Sequence, residues 1–157
     1  MSGEYLEPSE WYASLPTAYV AAAVVLTDGD DRVLVVKPTY RPYWALPGGV
    51  AEAGEAPHLC AAREAAEELG VTVPVGDLLV AHWAAPQGDR PRPMLTFVFD
   101  GGLLPEPGSI RLRREELEDA AWVSWEKAET LMSAVTAPRI PAARRARRTG
   151  RAEYVLS

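Results

Sequence analysis

Three glutamates, Glu64, Glu67 and Glu68, stand three and four residues apart in a stretch that reads as helix, so their carboxylates share one face. Like charges at that spacing repel, by roughly 0.2–0.5 kcal/mol a pair on an isolated helix. A divalent cation removes that cost. Mg2+ is hard and takes oxygen ligands in octahedral geometry, so this face can supply several ligands and leave the rest to water and phosphate oxygens. Alone, Glu-x-x-Glu-Glu describes a solvated acidic face equally well. Two neighbours favour chemistry. Gly48 and Gly49 lie ahead of the helix at the end of a strand, where backbone without side chains lets a phosphate approach closely. Arg63, beside the first glutamate, is a charge in a partly apolar segment and needs a partner, Glu55 or Glu67.

The elements around these residues can be read from pattern. Pro57 to Leu69 is the strongest helix: proline suits its first turn, Gly70 suits its C-terminal cap, and Leu59, Ala62, Ala66 and Leu69 give one apolar face. Tyr19 to Thr27 reads as a buried strand, Asp28 to Asp31 as a turn and Val33 to Val36 as the returning strand of a hairpin. Residues 38–43 read as a loop and Trp44 to Leu46 as a short strand ending at Pro47-Gly48-Gly49. Strands follow around Leu78 to Ala84 and Met94 to Phe99, with Trp83 and Phe97 expected in the core and His82 as a satisfied polar residue. Residues 100–110 read as a loop and Ala120 to Val123 as a last strand. Ser124 opens a helix to about Ser133, and Pro141 begins a basic one to about Thr149. Strands and helices in this order predict an α/β (α+β) sandwich, a mixed sheet between helices.

Composition bounds the partners. The 157 residues fit one domain, 1–157, with a polar extension at 1–16 and a basic helix and tail at 138–157. The net charge is −6, yet residues 138–157 hold six arginines against Glu153, leaving the rest of the chain at −11. Those arginines read first as a solvated helix face answering the acidic body; binding of substrate phosphates or a partner, and binding of RNA, are the other readings. An acidic chain is a poor general binder of nucleic acid, and an acidic pocket that must hold a polyanion needs a metal. The lone Cys60 forms no internal disulfide, no apolar run reaches membrane-spanning length, and no secretory signal opens the chain; a cytoplasmic protein is expected.

The segment from Gly49 to Val71 resembles the Nudix box: Gly, five residues, Glu, seven residues, then Arg-Glu-apolar-x-Glu-Glu-x-Gly-apolar. Gly49, Glu55, Arg63, Glu64, Glu67, Glu68 and Gly70 fill every fixed position. At residue frequencies near ~7%, seven such matches arise by chance about once in a million chains of this size. Ala65 is smaller than the usual Leu, Ile or Val, a packing matter. The resemblance extends over roughly residues 18–135, including Trp44-Ala45-Leu46-Pro47 before the box and Leu117 to Val123 ahead of Ser124-Trp125.

The resemblance implies an α/β/α sandwich and a hydrolase, MutT-like, that cleaves a diphosphate bond in a nucleoside diphosphate linked to X or in a nucleoside triphosphate. By position, Glu64, Glu67 and Glu68 are its metal ligands, for Mg2+ or Mn2+. Glu55 and Arg63 form a supporting ion pair, and Gly49 gives the loop its freedom. A metal-activated water attacks phosphorus and a carboxylate accepts its proton. That base is Glu64 or a later glutamate, Glu106, Glu115, Glu116 or Glu118, with Glu116 preferred. Arg41 and Trp44, on the approach loop, are candidates for substrate contact with Gly48 and Gly49, through a phosphate and a stacked base. The expected partner is a nucleotide-type small molecule, with no membrane; a homodimer is compatible with the family. The competing reading is a regulatory Nudix-like module with weak catalysis. Relatives of that kind lose box carboxylates, and this chain keeps them all.

Overall fold

The computed structural model describes residues 5–104 and 106–157; the start of the polar extension, 1–4, and Pro105 lie outside the described residues. The elements are α1 (Pro8–Ser14), β1 (Tyr19–Thr27), β2 (Val33–Pro38), β3 (Gly48–Val50), α2 (Pro57–Leu69), β4 (Leu78–Ala84), β5 (Met94–Leu103), β6 (Leu117–Val123), α3 (Trp125–Leu131), α4 (Arg139–Thr149) and β7 (Glu153–Leu156). A mixed sheet runs β6-β2-β1-β5-β4-β7, with β3 also paired to β1.

β1 is the centre. Its side chains alternate between two apolar layers: Ala22, Val24 and Leu26 meet Cys60, Ala61, Ala65 and Leu69 of α2, while Ala23 and Val25 join the layer built by α3 and α4 with Trp125, Ile140 and Ala143. The sheet therefore lies between helices on both faces, the α/β/α arrangement expected. A strand buried on both sides has no polar alternation, which is why it reads as one continuous apolar run.

The β1–β2 hairpin splays at once. Asp28 fastens the turn by accepting bonds from the Asp30 and Arg32 N–H groups at 3.0 and 2.9 Å, and Asp31 adopts φ +56°. β2 then pairs with β1 only at Thr27–Val33 and turns to β6. β3 takes the vacated edge, setting Ala21, Ala22 and Ala23 opposite Val50, Gly49 and Gly48. The approach is so close that a Cβ on Gly48 would collide with the Ala22 carbonyl oxygen. The strand near here is thus Gly48–Val50 rather than Trp44–Leu46, from which only Ala45 pairs, with Val36.

Several expectations are corrected. α2 has the expected ends, with Pro57 in its first turn and Gly70 at φ +65° in the cap, but its buried face is Cys60, Ala61, Ala65, Glu68 and Leu69. Leu59 is 55% exposed. The small residues, not the large Leu59, face β1, because only they let the helix lie close to it. β5 continues through Asp100 to Leu103, where a loop was read, by a register shift opposite Val25–Leu26. α4 starts at Arg139 and takes Pro141 into its first turn. β7, parallel to β4, was not anticipated: four residues after a basic run give too short a pattern. Trp83 and Phe97 are half-buried and belong to neither apolar layer. No described helix is long and apolar enough to cross a membrane.

Candidate active site

The placement of α2 against β3 brings the candidate residues together. Helical spacing turns Glu64 and Glu68 toward the sheet, where β3 presents two residues without side chains. A Cβ on Gly49 would lie 2.5 Å from the Glu64 carboxyl carbon, so only glycine leaves that carboxylate its place. The Gly48 N–H donates to Glu68 Oε2 at 3.1 Å. Glu68 is buried, an uncommon position for an acid. Burial pushes its carboxyl up to about 8 against the opposing pull of the Gly48 bond, and the charges of Glu64, Glu116 and Glu67 add to the rise. Burial also raises Glu64 above the ordinary carboxylate range, opposed by Arg63.

Arg63 is the hub of the unit. Its Nε and Nη2 donate to the two Glu55 oxygens at 2.8 and 2.9 Å, a bidentate pair. Its Nη1 donates to Glu64 at 2.9 Å and Glu67 at 3.2 Å. The guanidinium holds Glu55 down to about 2, and Glu55 in turn raises Arg63. Glu55 also accepts from the Glu52 N–H at 3.1 Å, so the pair fixes the loop between β3 and α2. Cys60 sits beneath, its thiol donating to the Gly49 carbonyl at 3.5 Å; burial pushes it up to about 11.

Glu116 arrives from another element. The segment before β6 is tied to α2 by the Arg111 N–H to the Leu69 carbonyl and the Arg113 N–H to the Glu68 carbonyl, at 2.8 and 3.0 Å. Arg113 Nη1 then stands 3.6 Å from Glu116 and 4.0 Å from Glu67. Glu116 is near enough to raise both Glu64 and Glu68. The other acids considered differ: Glu118 is paired with Lys37 at 2.8 Å, and Glu106 and Glu115 are exposed and lie outside the ion pairs of the site. Arg113 had no pattern to single it out among neighbouring arginines.

The approach loop divides. Arg41 is exposed and lies 5.2 Å over the Tyr40 ring. Trp44 is half-buried, packs on the α3/α4 layer and donates its backbone N–H to the Leu131 carbonyl at 3.1 Å. Tyr40 and Tyr43 are the rings left open. A cleft of about 500 Å³ beside Leu112, Arg114 and Trp122 shares no residue with the carboxylate set.

The donor chemistry suits a hard divalent ion: Glu64, Glu67, Glu68 and Glu116 offer carboxylate oxygens, Glu68 is buried and Glu64 nearly so, and a Cβ on Gly49 would fill the space of the Glu64 carboxylate. As the side chains stand, no three acids among the described residues converge into a ready ligand cluster. Arg63 Nη1 bonds both Glu64 and Glu67 and supplies countercharge between them.

An α/β/α sandwich with acids of one helix set against a glycine pair is the arrangement that the resemblance to the Nudix hydrolases implies. The NUDIX domain family model matches residues 17–144. The chain belongs to the Nudix hydrolase family. It is 27% identical over 136 residues to a MutT-like protein of Streptomyces ambofaciens, spanning 87% of this chain and 83% of that one. It is 33% identical over 141 residues to the NAD-capped RNA hydrolase NudC of Stutzerimonas stutzeri, but there it spans 85% of this chain and only 46% of the relative. The crystal structure of a MutT protein from Methanosarcina mazei superposes with a TM-score of 0.72 at 23% identity, covering 87% of this chain and all of that one, which speaks to the fold.

Proposed function

We propose that this chain hydrolyses the diphosphate bond of a nucleoside diphosphate linked to X, or of a nucleoside triphosphate, by attack of water on phosphorus. The observation that carries the reading is the pairing of buried Glu68 and Glu64 with the bare backbone of Gly48 and Gly49. Glu64, Glu67 and Glu68 are the residues that would hold Mg2+ or Mn2+. When bound, such an ion neutralises the diphosphate, lowers the pKa of a water and stabilises the leaving phosphate.

The chain's own groups do the rest. The β3 glycines leave open backbone where the diphosphate approaches. Arg63, clamped by Glu55, holds Glu64 and Glu67 in position. Glu116 takes the proton of the attacking water; its side chain is 43% exposed, so it can pass that proton to solvent. Arg41 and the open edge of Trp44 border the arm of the substrate away from the carboxylates.

Product release from a panel of nucleotide sugars, ADP-ribose, dinucleoside polyphosphates and nucleoside triphosphates, with and without Mg2+, tests the reading. Divalent-dependent turnover of at least one class is expected. No turnover of any class with Mg2+ or Mn2+ overturns it.

A further inference from the structure

Among the arginines of the C-terminal segment, Arg139 stands apart. The others with ion-pair partners reach acids: Arg144 to Glu126, Arg145 to Glu153, Arg147 to Asp100. Arg139 opens α4 turned inward against the sheet. Its Nε donates to His82 Nδ1 at 2.7 Å and its Nη2 to Thr96 Oγ1 at 3.1 Å. Neither partner carries negative charge. His82 is buried and neutral, pushed down to about 4 by burial and then by Arg139 and Arg90. With Nδ1 accepting, its Nε2–H donates to Ser157 Oγ at 2.7 Å. Among the described residues no carboxylate pairs with Arg139, and the charge that acts on it is another cation: burial, then Arg41, lower it to about 10. A guanidinium desolvated without a counterion is costly and calls for an anion.

The guanidinium has an edge to offer. Nη1 makes no hydrogen bond among the described residues, and Arg139 as a residue is only half-buried. Strand register shows where that edge lies. Tyr19 stands opposite Met94, and Ala21 stands opposite both Thr96 and Val50. Alternation puts Tyr19, Ala21, Met94 and Thr96 on the face covered by α4, the face of Ala23, Val25 and Val98. Tyr19, Val50, Met94 and Arg90 line an open cleft of about 390 Å³, with Asp89 and Pro91 at its side. Thr96 is one step along the same face from Met94, roughly 7 Å. Arg139, bonded to Thr96, is therefore anchored one step along the same strand face from Met94, which lines this cleft. Val50 ends the strand whose Gly48 and Gly49 border the carboxylates, so a substrate crossing β3 would reach the cleft with its remote arm.

We propose that Arg139 is a specificity residue whose free Nη1 edge receives an anionic group, carboxylate or phosphate, on the arm of the substrate remote from the cleaved diphosphate. The inference rests on the hydrolase reading and narrows it to substrates in which that arm is charged. Arg41 and Arg90 add positive field on either side; Asp89, on the cleft wall, opposes it.

Matched ligands test this by equilibrium binding to the metal-free chain, where no turnover is needed. UDP-glucose against UDP-glucuronate isolates a carboxylate, and ADP-ribose against its ribose-phosphorylated derivative isolates a phosphate. The wild type is expected to bind the charged member of at least one pair about tenfold more tightly, the scale of one charge-assisted bond. The pair that shows the preference identifies the anion. In Arg139→Gln that ratio falls to about one. Because Arg139→Gln removes a buried bond to His82, Met94→Glu provides a second arm: it places a carboxylate in the cleft, one step along the strand face from the Thr96 that Arg139 bonds, and is expected to abolish the preference without lowering Tm. No preference in the wild type, or a preference retained in Met94→Glu, overturns the inference. Separate turnover measurements on the same ligands show whether the hydrolase reading fails instead.

Discussion

Glu68 and His82 set opposite pH dependences. His82 is held near 4 against an ordinary 6.5, so the unfolded chain binds a proton that the folded chain refuses. That contribution to stability is present above 6.5 and lost as pH falls toward 4. Glu68 is held near 8 against an ordinary 4.5, so the folded chain keeps a proton that the unfolded chain releases; stability falls as pH rises from 4.5 to 8. In metal-free protein the two offset each other between about 4.5 and 6.5. Calorimetry is therefore expected to show a near-flat Tm there and a decline from 6.5 to 8, no steeper than about 1.4 kcal/mol per pH unit, the value for one proton. Glu68→Gln should remove the decline, and a decline that persists in that variant would rule out Glu68 as its source. For activity, Glu68→Gln and Glu67→Gln should each lower kcat by about 10²–10³-fold with the fold intact, the scale of losing one charged group at developing phosphate charge. Unchanged kcat in both would refute the metal assignment. These glutamates were legible in the sequence because their spacing is itself the signal. Arg139 was not: six arginines in twenty residues look alike until the fold turns one of them inward.

The β3–α2 unit shows what spacing can and cannot say about an element. Its limits, Pro57 and Gly70, were readable because each has a local conformational reason. Its buried face was not, because that is decided by how closely the helix must approach β1, and Cys60, Ala61 and Ala65 permit an approach that Leu59 would forbid. β3 itself escaped the pattern, since two glycines and a valine carry no alternation; the pairing with Ala21 to Ala23 reveals it. The two glycines should respond differently to a methyl group. Gly48→Ala meets backbone of β1, so it should cost about 1–3 kcal/mol by overpacking and lower Tm by several degrees. Gly49→Ala meets the Glu64 carboxylate, which can swing aside, so its loss should fall on kcat with a smaller change in Tm. Equal Tm losses with normal kcat in Gly49→Ala would remove Gly49 from the site.

Over the whole molecule, long-range ties hold the two helical layers to the sheet. Arg147 reaches from α4 to Asp100 at 2.7 and 3.1 Å, to Thr27 Oγ1 at 3.0 Å and to the Val25 carbonyl at 3.4 Å, fastening α4 over the β1–β5 register shift. Arg147→Leu should cost about 2 kcal/mol, less than a fully buried pair because both side chains are about a quarter exposed, and lower Tm by roughly 4–8 °C. A Tm within a degree of wild type would show that the apolar layer alone holds α4. The basic C-terminal run, whose first reading is a solvated face, thus divides between surface pairs, this tie and the inward Arg139. Layering was legible at this scale because continuous apolar runs alternate with helical segments; the strand order, β7 and the extension of β5 were not, because they depend on which edge a neighbour leaves unpaired. Cys60 turns the same architecture into a clock. The lone thiol lies under β3, fully buried and with its ionisation suppressed. A thiol-alkylating dye can therefore label the native chain only when α2 lifts from β3. The labelling rate counts those openings one site at a time, and a divalent ion that bridges the helix acids should slow the count.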